Sequence, residues 1–194
     1  EVIGVDIEKK EVSVKNLATQ EIFKDRYDEL IITTGASAVK PPIKNIDLEN
    51  VFTLKEFSDG IVLKKAMMKP ENKRVVIIGA GYIGLEAAEA AVNLKKEVRI
   101  IQLGDRVIPG SFDKEITDIM EEEIRGHKDV FLNLDEAVSE FEGKDGRVSG
   151  VKTNKGVYPA DIVILATGVR PNTKFLEGTG IETLKNGAIV IDGR

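Results

Sequence analysis

The chain has 194 residues, of which 42 % are apolar and 31 % charged, the balance of a globular protein with one large domain or two small ones. A formal net charge of -5 argues against a general nucleic-acid binder, and no apolar run is long enough to predict a membrane span. The absence of cysteine excludes disulfides, thiolate nucleophiles and zinc–thiolate sites from these residues.

The single histidine, His127, follows Glu121-Glu122-Glu123-Ile124-Arg125-Gly126. With no second histidine it is expected as a solvated residue at a helix end rather than a metal ligand. The start, Glu1-Val2-Ile3-Gly4, reads as strand rather than signal peptide. Glu1 stands where an initiator Met is expected, which predicts an excerpt of a longer chain; a cytoplasmic location is expected.

Residues 2–8 and 11–15 alternate apolar and polar around Glu8-Lys9-Lys10, the pattern of a hairpin. A third strand is expected at 21–24. Tyr27 to Ala36 reads as a buried strand running into a small-residue turn, and Pro41-Pro42 marks a linker. After the short apolar run Val51-Phe52-Thr53-Leu54, a helix is expected over about 56–68, broken or begun near Gly60 and stopped before Pro70. A strand at 74–78, a helix at 82–94 and a strand at 98–101 follow, with Lys95-Lys96 suiting the helix dipole. A helix from Asp113 to about Arg125 places Ile116, Ile119, Met120 and Ile124 on one face, with Ser111 or Asp113 as its cap. Strands are expected at 130–132, 136–142, 147–152, 156–159 and 162–165, then a short helix near 173–177 and a strand at 188–191. The order βαβαβ, meander, strand predicts an α/β, Rossmann-like domain. Its parallel sheet is expected to carry helices on both faces and an antiparallel β-meander insertion.

The stretch Val75-Val76-Ile77-Ile78-Gly79-Ala80-Gly81-Tyr82-Ile83-Gly84 organises that domain. It is G-x-G-x-x-G between a buried strand and a helix rich in alanine. Gly79 permits the tight turn, Gly81 lets the backbone approach a pyrophosphate, and Gly84 lets the helix lie close on the strand. The helix N-terminus offers N–H groups and partial positive charge to the anion. Gln102, after the second strand, stands where an acidic group selects NAD and an arginine accepts the NADP phosphate. Its amide bonds a hydroxyl without repelling a phosphate. Asp105 is a late acid, and Arg106 reaches a phosphate or lies in a solvent-facing loop. The balance favours NAD(H), with NADP(H) as the alternative.

Two segments share one order: Asp28-Glu29-Leu30-Ile31-Ile32-Thr33-Thr34-Gly35-Ala36 and Asp161-Ile162-Val163-Ile164-Leu165-Ala166-Thr167-Gly168-Val169. In each, Asp starts an apolar strand and Thr-Gly ends it, leaving room for a ligand at the strand's carboxyl end. The second copy closes the unit that carries the glycine loop; the first has no such unit before it. Two dinucleotide domains are therefore expected, one of them incomplete.

On these two segments, on Gly79 to Glu86 and on Ser111-Phe112-Asp113-Lys114-Glu115, with Arg170-Pro171-Asn172 after the second segment, the chain resembles the pyridine-nucleotide disulfide oxidoreductase family. The match is closest to its NADH oxidase and coenzyme A disulfide reductase branch, over nearly the whole length. The resemblance implies a flavoenzyme in which NAD(P)H reduces FAD. Residues 1–52 would then be the end of the FAD domain's first segment, 53–169 the NAD(P)-binding domain, and 170–194 the return toward the FAD domain.

The cofactor-binding set it implies is Gly79, Ala80, Gly81, Tyr82, Ile83, Gly84, Glu86, Gln102 and Gly168, with Thr34 and Gly35 on the FAD side. Tyr82 would cover the flavin until nicotinamide enters, and Glu86 would lie near the nicotinamide. Read from the residues alone, Tyr82 is packing and Glu86 a first-turn anion. No catalytic residue is expected within the chain. The FAD fingerprint and redox cysteine would precede residue 1; a dimerisation domain, giving a homodimer, would follow Arg194. The chain by itself is expected to bind nicotinamide dinucleotide, lack flavin and not turn over. A ferredoxin- or rubredoxin-reductase type without redox cysteine, and a non-catalytic nucleotide-binding module, remain as alternatives.

Overall fold

The structure is a computed structural model that describes residues 1–192. In chain order it contains β1 (Val2–Asp6), β2 (Glu11–Lys15), β3 (Ile22–Arg26), β4 (Ala36–Ala38), β5 (Val51–Thr53), α1 (Phe57–Met67), β6 (Arg74–Ile78), α2 (Tyr82–Asn93), β7 (Glu97–Ile101), α3 (Lys114–Gly126), β8 (Val130–Asn133), β9 (Val138–Lys144), β10 (Arg147–Thr153), β11 (Val157–Pro159), β12 (Ile162–Leu165), β13 (Val169–Pro171) and a 3-10 turn at Lys174–Leu176. The chain forms two compact units, one of Glu1–Ser37 with the stretch from Val169 onward, the other of Ala38–Gly168.

The larger unit is built on a five-stranded parallel sheet in the order β5-β12-β6-β7-β8. Its strands are short runs of branched apolar residues, buried on both faces as a covered parallel sheet requires. Side chains alternate between faces with period two. Val75 and Ile77 of β6, Val98 and Ile100 of β7, and Ile162 and Ile164 of β12 meet Leu63, Ala66 and Met67 of α1 and Ala87, Ala88 and Ala91 of α2. The intervening Val76, Ile78, Ile101, Val163 and Leu165 meet Phe141, Val148 and Val151 of the antiparallel sheet β11-β10-β9. The Rossmann-like class stands, but helices cover only one face. The meander supplies the second layer, because its inward alternation buries Phe141, Val148 and Val151 without further helices.

Local chemistry sets the helix limits. At the start of α1, the Asp59 carboxylate accepts from the backbone N–H groups of Lys55 and Glu56, at 3.0 and 2.9 Å, a capping box with Glu56. The helix runs through Gly60 unbroken. In α3, Asp113 occupies the N-cap position. The expected apolar stripe of α3 divides: Met120 and Ile124 pack on the core, whereas Ile116 and Ile119 face outward, Ile119 at 65 % exposure. His127 ends α3, exposed, as expected. Lys96 is not a solvated dipole partner; it is buried, and its ammonium donates to the Lys69 carbonyl.

In the smaller unit β1, β2 and β3 form an antiparallel sheet. The strand expected over 27–36 is absent: Tyr27 to Gly35 lies outside any ladder, and Ile31 is 84 % exposed. Its apolar run finds no neighbouring strand among the described residues, and backbone groups without a ladder stay solvated. Only its end, β4, pairs, with β13. The strand expected at 188–191 reduces to one bridge, Thr183 to Ile189. The short helix near 173–177 is the 3-10 turn, with Leu176 buried.

Candidate functional site

At the carboxyl end of β6 the chain turns through Gly79, whose φ of 105° lies in the region that favours glycine. A Cβ there would stand 2.4 Å from the Ala166 carbonyl oxygen. At Gly84 a Cβ would stand 2.0 Å from the Gly79 carbonyl oxygen and 3.4 Å from the Ala166 Cβ. Both glycines are therefore demanded by how close α2, β6 and the end of β12 approach one another. Gly81 is different: nothing lies within 4 Å of the Cβ it lacks. Its openness faces away from the protein.

Gly81 is the N-cap of α2, and no side chain caps the helix. The N–H groups of Tyr82, Ile83 and Gly84, which have no acceptor inside the helix, are thus left without a capping side chain. The first turn contains no acidic residue. Glu86 lies a turn further on, so it is not the first-turn anion that the sequence suggested. The end of α2 can receive an external anion without competition from its own chain. Tyr82 is 55 % exposed and meets Phe112 edge to face, with centroids 6.4 Å apart. Ile83 and Glu86 are exposed beside it.

Gln102 lies just past β7 and is tied to the loop. Its Oε1 accepts from the Ala80 N–H at 3.0 Å, an arrangement that assigns the amide orientation, since an NH2 group there would face a donor. The Nε2 amine remains as the donor side. The Gln102 backbone is held as well, its N–H by the Asn133 carbonyl and its carbonyl by the Glu136 N–H, at 2.9 and 3.0 Å. Ala80 in turn accepts from the Ile108 N–H at 2.9 Å. Asp105 and Arg106 bond each other at 3.3 Å. The Arg106 guanidinium holds the Asp105 carboxyl below the usual carboxylate range, so both charges of that loop are met by one another.

Gly168 closes the same end of the sheet, with φ 94° and open space where a Cβ would be. Its carbonyl accepts from Val39 at 2.9 Å. The loop Gly79 to Gly84, Gln102 and the end of β12 are thus brought together at the carboxyl ends of the parallel strands. Thr34 and Gly35 belong to the smaller unit. There the Thr34 and Gly35 carbonyls accept from the Asn172 side chain and backbone, at 3.0 and 2.9 Å.

Behind Gln102 is a polar cluster that the sequence reading missed. Glu136 accepts from the Thr153 hydroxyl at 2.5 Å and from the Asn133 amide at 2.8 Å, and the same amide donates to the Tyr158 hydroxyl at 3.0 Å. Burial pushes the Glu136 carboxyl up, but these bonds outweigh it and hold the group below the usual carboxylate range. Arg99 donates to Asn133 at 2.7 Å and stacks between the rings of Phe131 and Tyr158. A buried carboxylate has no periodic mark, and the sequence placed residue 136 at the start of a strand.

Among the described residues no group of carboxylates and histidine could hold a metal, and no helix is long and apolar enough to cross a membrane.

The chain is 45 % identical over 163 residues to a CoA-dependent NAD(P)H sulfur oxidoreductase of Pyrococcus abyssi, a match over 84 % of this chain and 36 % of that protein. It is 38 % identical over 192 residues to an NADH oxidase of Enterococcus faecalis, over 97 % of this chain and 42 % of that one. The solved structure of water-forming NADH oxidase from Lactobacillus brevis, bound to NADH, superposes with a TM-score of 0.87 at 36 % identity, covering 99 % of this chain and 42 % of that chain. The chain therefore spans about two-fifths of the length of these relatives. The model of the pyridine nucleotide-disulphide oxidoreductases matches residues 1–194, and the chain belongs to that family.

Proposed function

We propose that this chain is the nicotinamide-dinucleotide-binding part of an FAD-dependent oxidoreductase of the NADH oxidase and coenzyme A disulfide reductase kind. The observation that carries the reading is the contrast among three glycines. Gly79 and Gly84 have their Cβ space filled by protein, whereas that of Gly81 is empty in front of an uncapped helix N-terminus. A loop that only turned the chain would have no use for the empty one.

In this reading the N–H groups at the start of α2 bind the pyrophosphate. The Gln102 amine donates to the adenosine ribose, and Gly168 leaves room beside the nucleotide. Tyr82 and Glu86, exposed next to the loop, would face the nicotinamide end, Tyr82 covering the flavin until nicotinamide enters. When bound, NAD(P)H supplies a hydride to FAD. The residues fit the dinucleotide; for FAD, the smaller unit has no α-helix among its described residues to offer the phosphates a helix N-terminus, and the assignment of Thr34 and Gly35 to the flavin side rests on the family resemblance. The expected division at 52/53 would cut β5 out of its own sheet, so we propose that the unit Ala38–Gly168 binds NAD(P), with Glu1–Ser37 and the stretch from Val169 onward as parts of the FAD domain. A cytoplasmic location, and a homodimer for the full-length protein, are proposed on the family resemblance alone.

Calorimetric titration of NADH into the purified protein and into Gly81→Val tests the core of it. Binding by the parent and none by the variant is expected. Equal affinities would remove the loop from the site.

A further inference from the structure

Gln102 is held at both backbone groups by one short turn, Asn133 to Glu136. The first residue of that turn accepts from the Gln102 N–H and the last donates to its carbonyl. The turn is closed on itself and onto the meander by the Glu136 carboxylate. That group accepts from Asn133 at the turn's start and from Thr153 at the end of β10, and the same Asn133 amide donates to the Tyr158 hydroxyl of β11. Glu136 is 2 % exposed. A buried carboxylate adds little net stability over an apolar side chain of similar volume. What a fully bonded one adds is direction, because its two oxygens accept only from donors placed in its plane.

We propose that Glu136 is a positioning residue of the nucleotide site: by stapling the Asn133–Glu136 turn to the meander it fixes Gln102, and through the Gln102 carboxamide it fixes the Ala80 amide of the glycine loop. Every link is a hydrogen bond of the larger unit, running Glu136 to Gln102 to Ala80 to Ile108. The inference rests on the reading of the glycine loop as a dinucleotide site. It adds that the loop's geometry is set from the far side of the sheet edge, by a residue that touches no ligand.

The test is a polarity exchange. Glu136→Gln leaves one acceptor oxygen for two donors, so either the Asn133 or the Thr153 end of the staple faces an NH2 group and is lost. Adding Asn133→Asp reverses one pair, so that the new amide donates to the new carboxylate while Arg99 keeps its acceptor. Dissociation constants for NADH and NADPH are measured by calorimetry on the purified protein and both variants, with ligand-free melting midpoints alongside.

Glu136→Gln is expected to weaken both dinucleotides by about fivefold or more, as coupled networks do. The double variant should return to within about twofold of the parent. A lowered midpoint with unchanged affinities in Glu136→Gln would overturn the proposal. So would a folded double variant whose affinity stays weak. If the single variant does not fold, the double variant alone decides. A parent protein that binds no NADH refutes the dinucleotide reading itself, a result distinct from either.

Discussion

Replacing each fingerprint glycine by alanine should separate folding from binding. At Gly84 the added Cβ would lie 2.0 Å from the Gly79 carbonyl oxygen, so α2 and the loop must part by about 1 Å, a forced overpacking that costs roughly 1–3 kcal/mol or more. At Gly79 a 2.4 Å approach to the Ala166 carbonyl is joined by a φ of 105°, and strain of that kind adds on the order of 1–3 kcal/mol. At Gly81 nothing lies within 4 Å and φ is -79°. There the loss of a glycine N-cap and the gain from a stiffer unfolded chain, each below about 1 kcal/mol, nearly cancel. Thermal unfolding should therefore drop by about 5–10 °C for Gly79→Ala and Gly84→Ala, and by no more than about 3 °C for Gly81→Ala. NADH affinity in Gly81→Ala should fall nonetheless, because its methyl enters the space in front of the helix N-terminus. A Gly81→Ala protein as destabilised as the other two, or one that binds NADH as the parent does, would refute this division of labour.

Gln102→Glu keeps an oxygen for the Ala80 N–H and replaces the outward amine by an acceptor. The ratio of NADH to NADPH affinity should rise about tenfold or more, the worth of a charged hydrogen bond, as read by parallel titrations. Asp161→Asn removes the carboxylate that accepts from the Lys73 and Arg74 backbones and from the Arg74 guanidinium, and should cost about 1–3 kcal/mol in denaturant unfolding at neutral pH. Burial raises the Asp161 carboxyl but these bonds lower it below its usual range. Its contribution is therefore present above about pH 4 and fades as pH falls through the depressed value, and the gap between parent and variant should close there. Phe141→Ala empties a fully buried site between meander and sheet and should lower stability by about 3–5 kcal/mol in the same assay, without loss of the helices in circular dichroism.

The two Asp-to-Gly segments show why part of this molecule was legible in its sequence and part was not. Both have the same local grammar, and strand was expected in both. In the second copy Asp161 clamps the starts of two strands, and β5 and β6 flank β12 on either side. In the first, the Asp28 backbone carbonyl accepts from Lys10, and among the described residues no strand lies alongside Tyr27 to Gly35. An apolar run declares that it can be a buried strand; only neighbours distant in sequence make it one. The same distinction runs through the site. Gly79 and Gly84 were read from spacing, although part of what crowds them, Ala166 at the end of β12, is distant in sequence. The tie between Ala80 and Gln102 and the carboxylate of Glu136 behind it are contacts among β6, β7, β8 and the meander. No period marks them, because each depends on which residues the sheet order happens to set side by side. Helix coverage went astray for a related reason: the amphipathic pattern of α3 states that one face prefers burial, but what lies opposite decides how much of it is buried. The residues that touch a ligand in a fold of this kind are thus the ones a sequence displays most openly, while those that hold them in place are set by the sheet order.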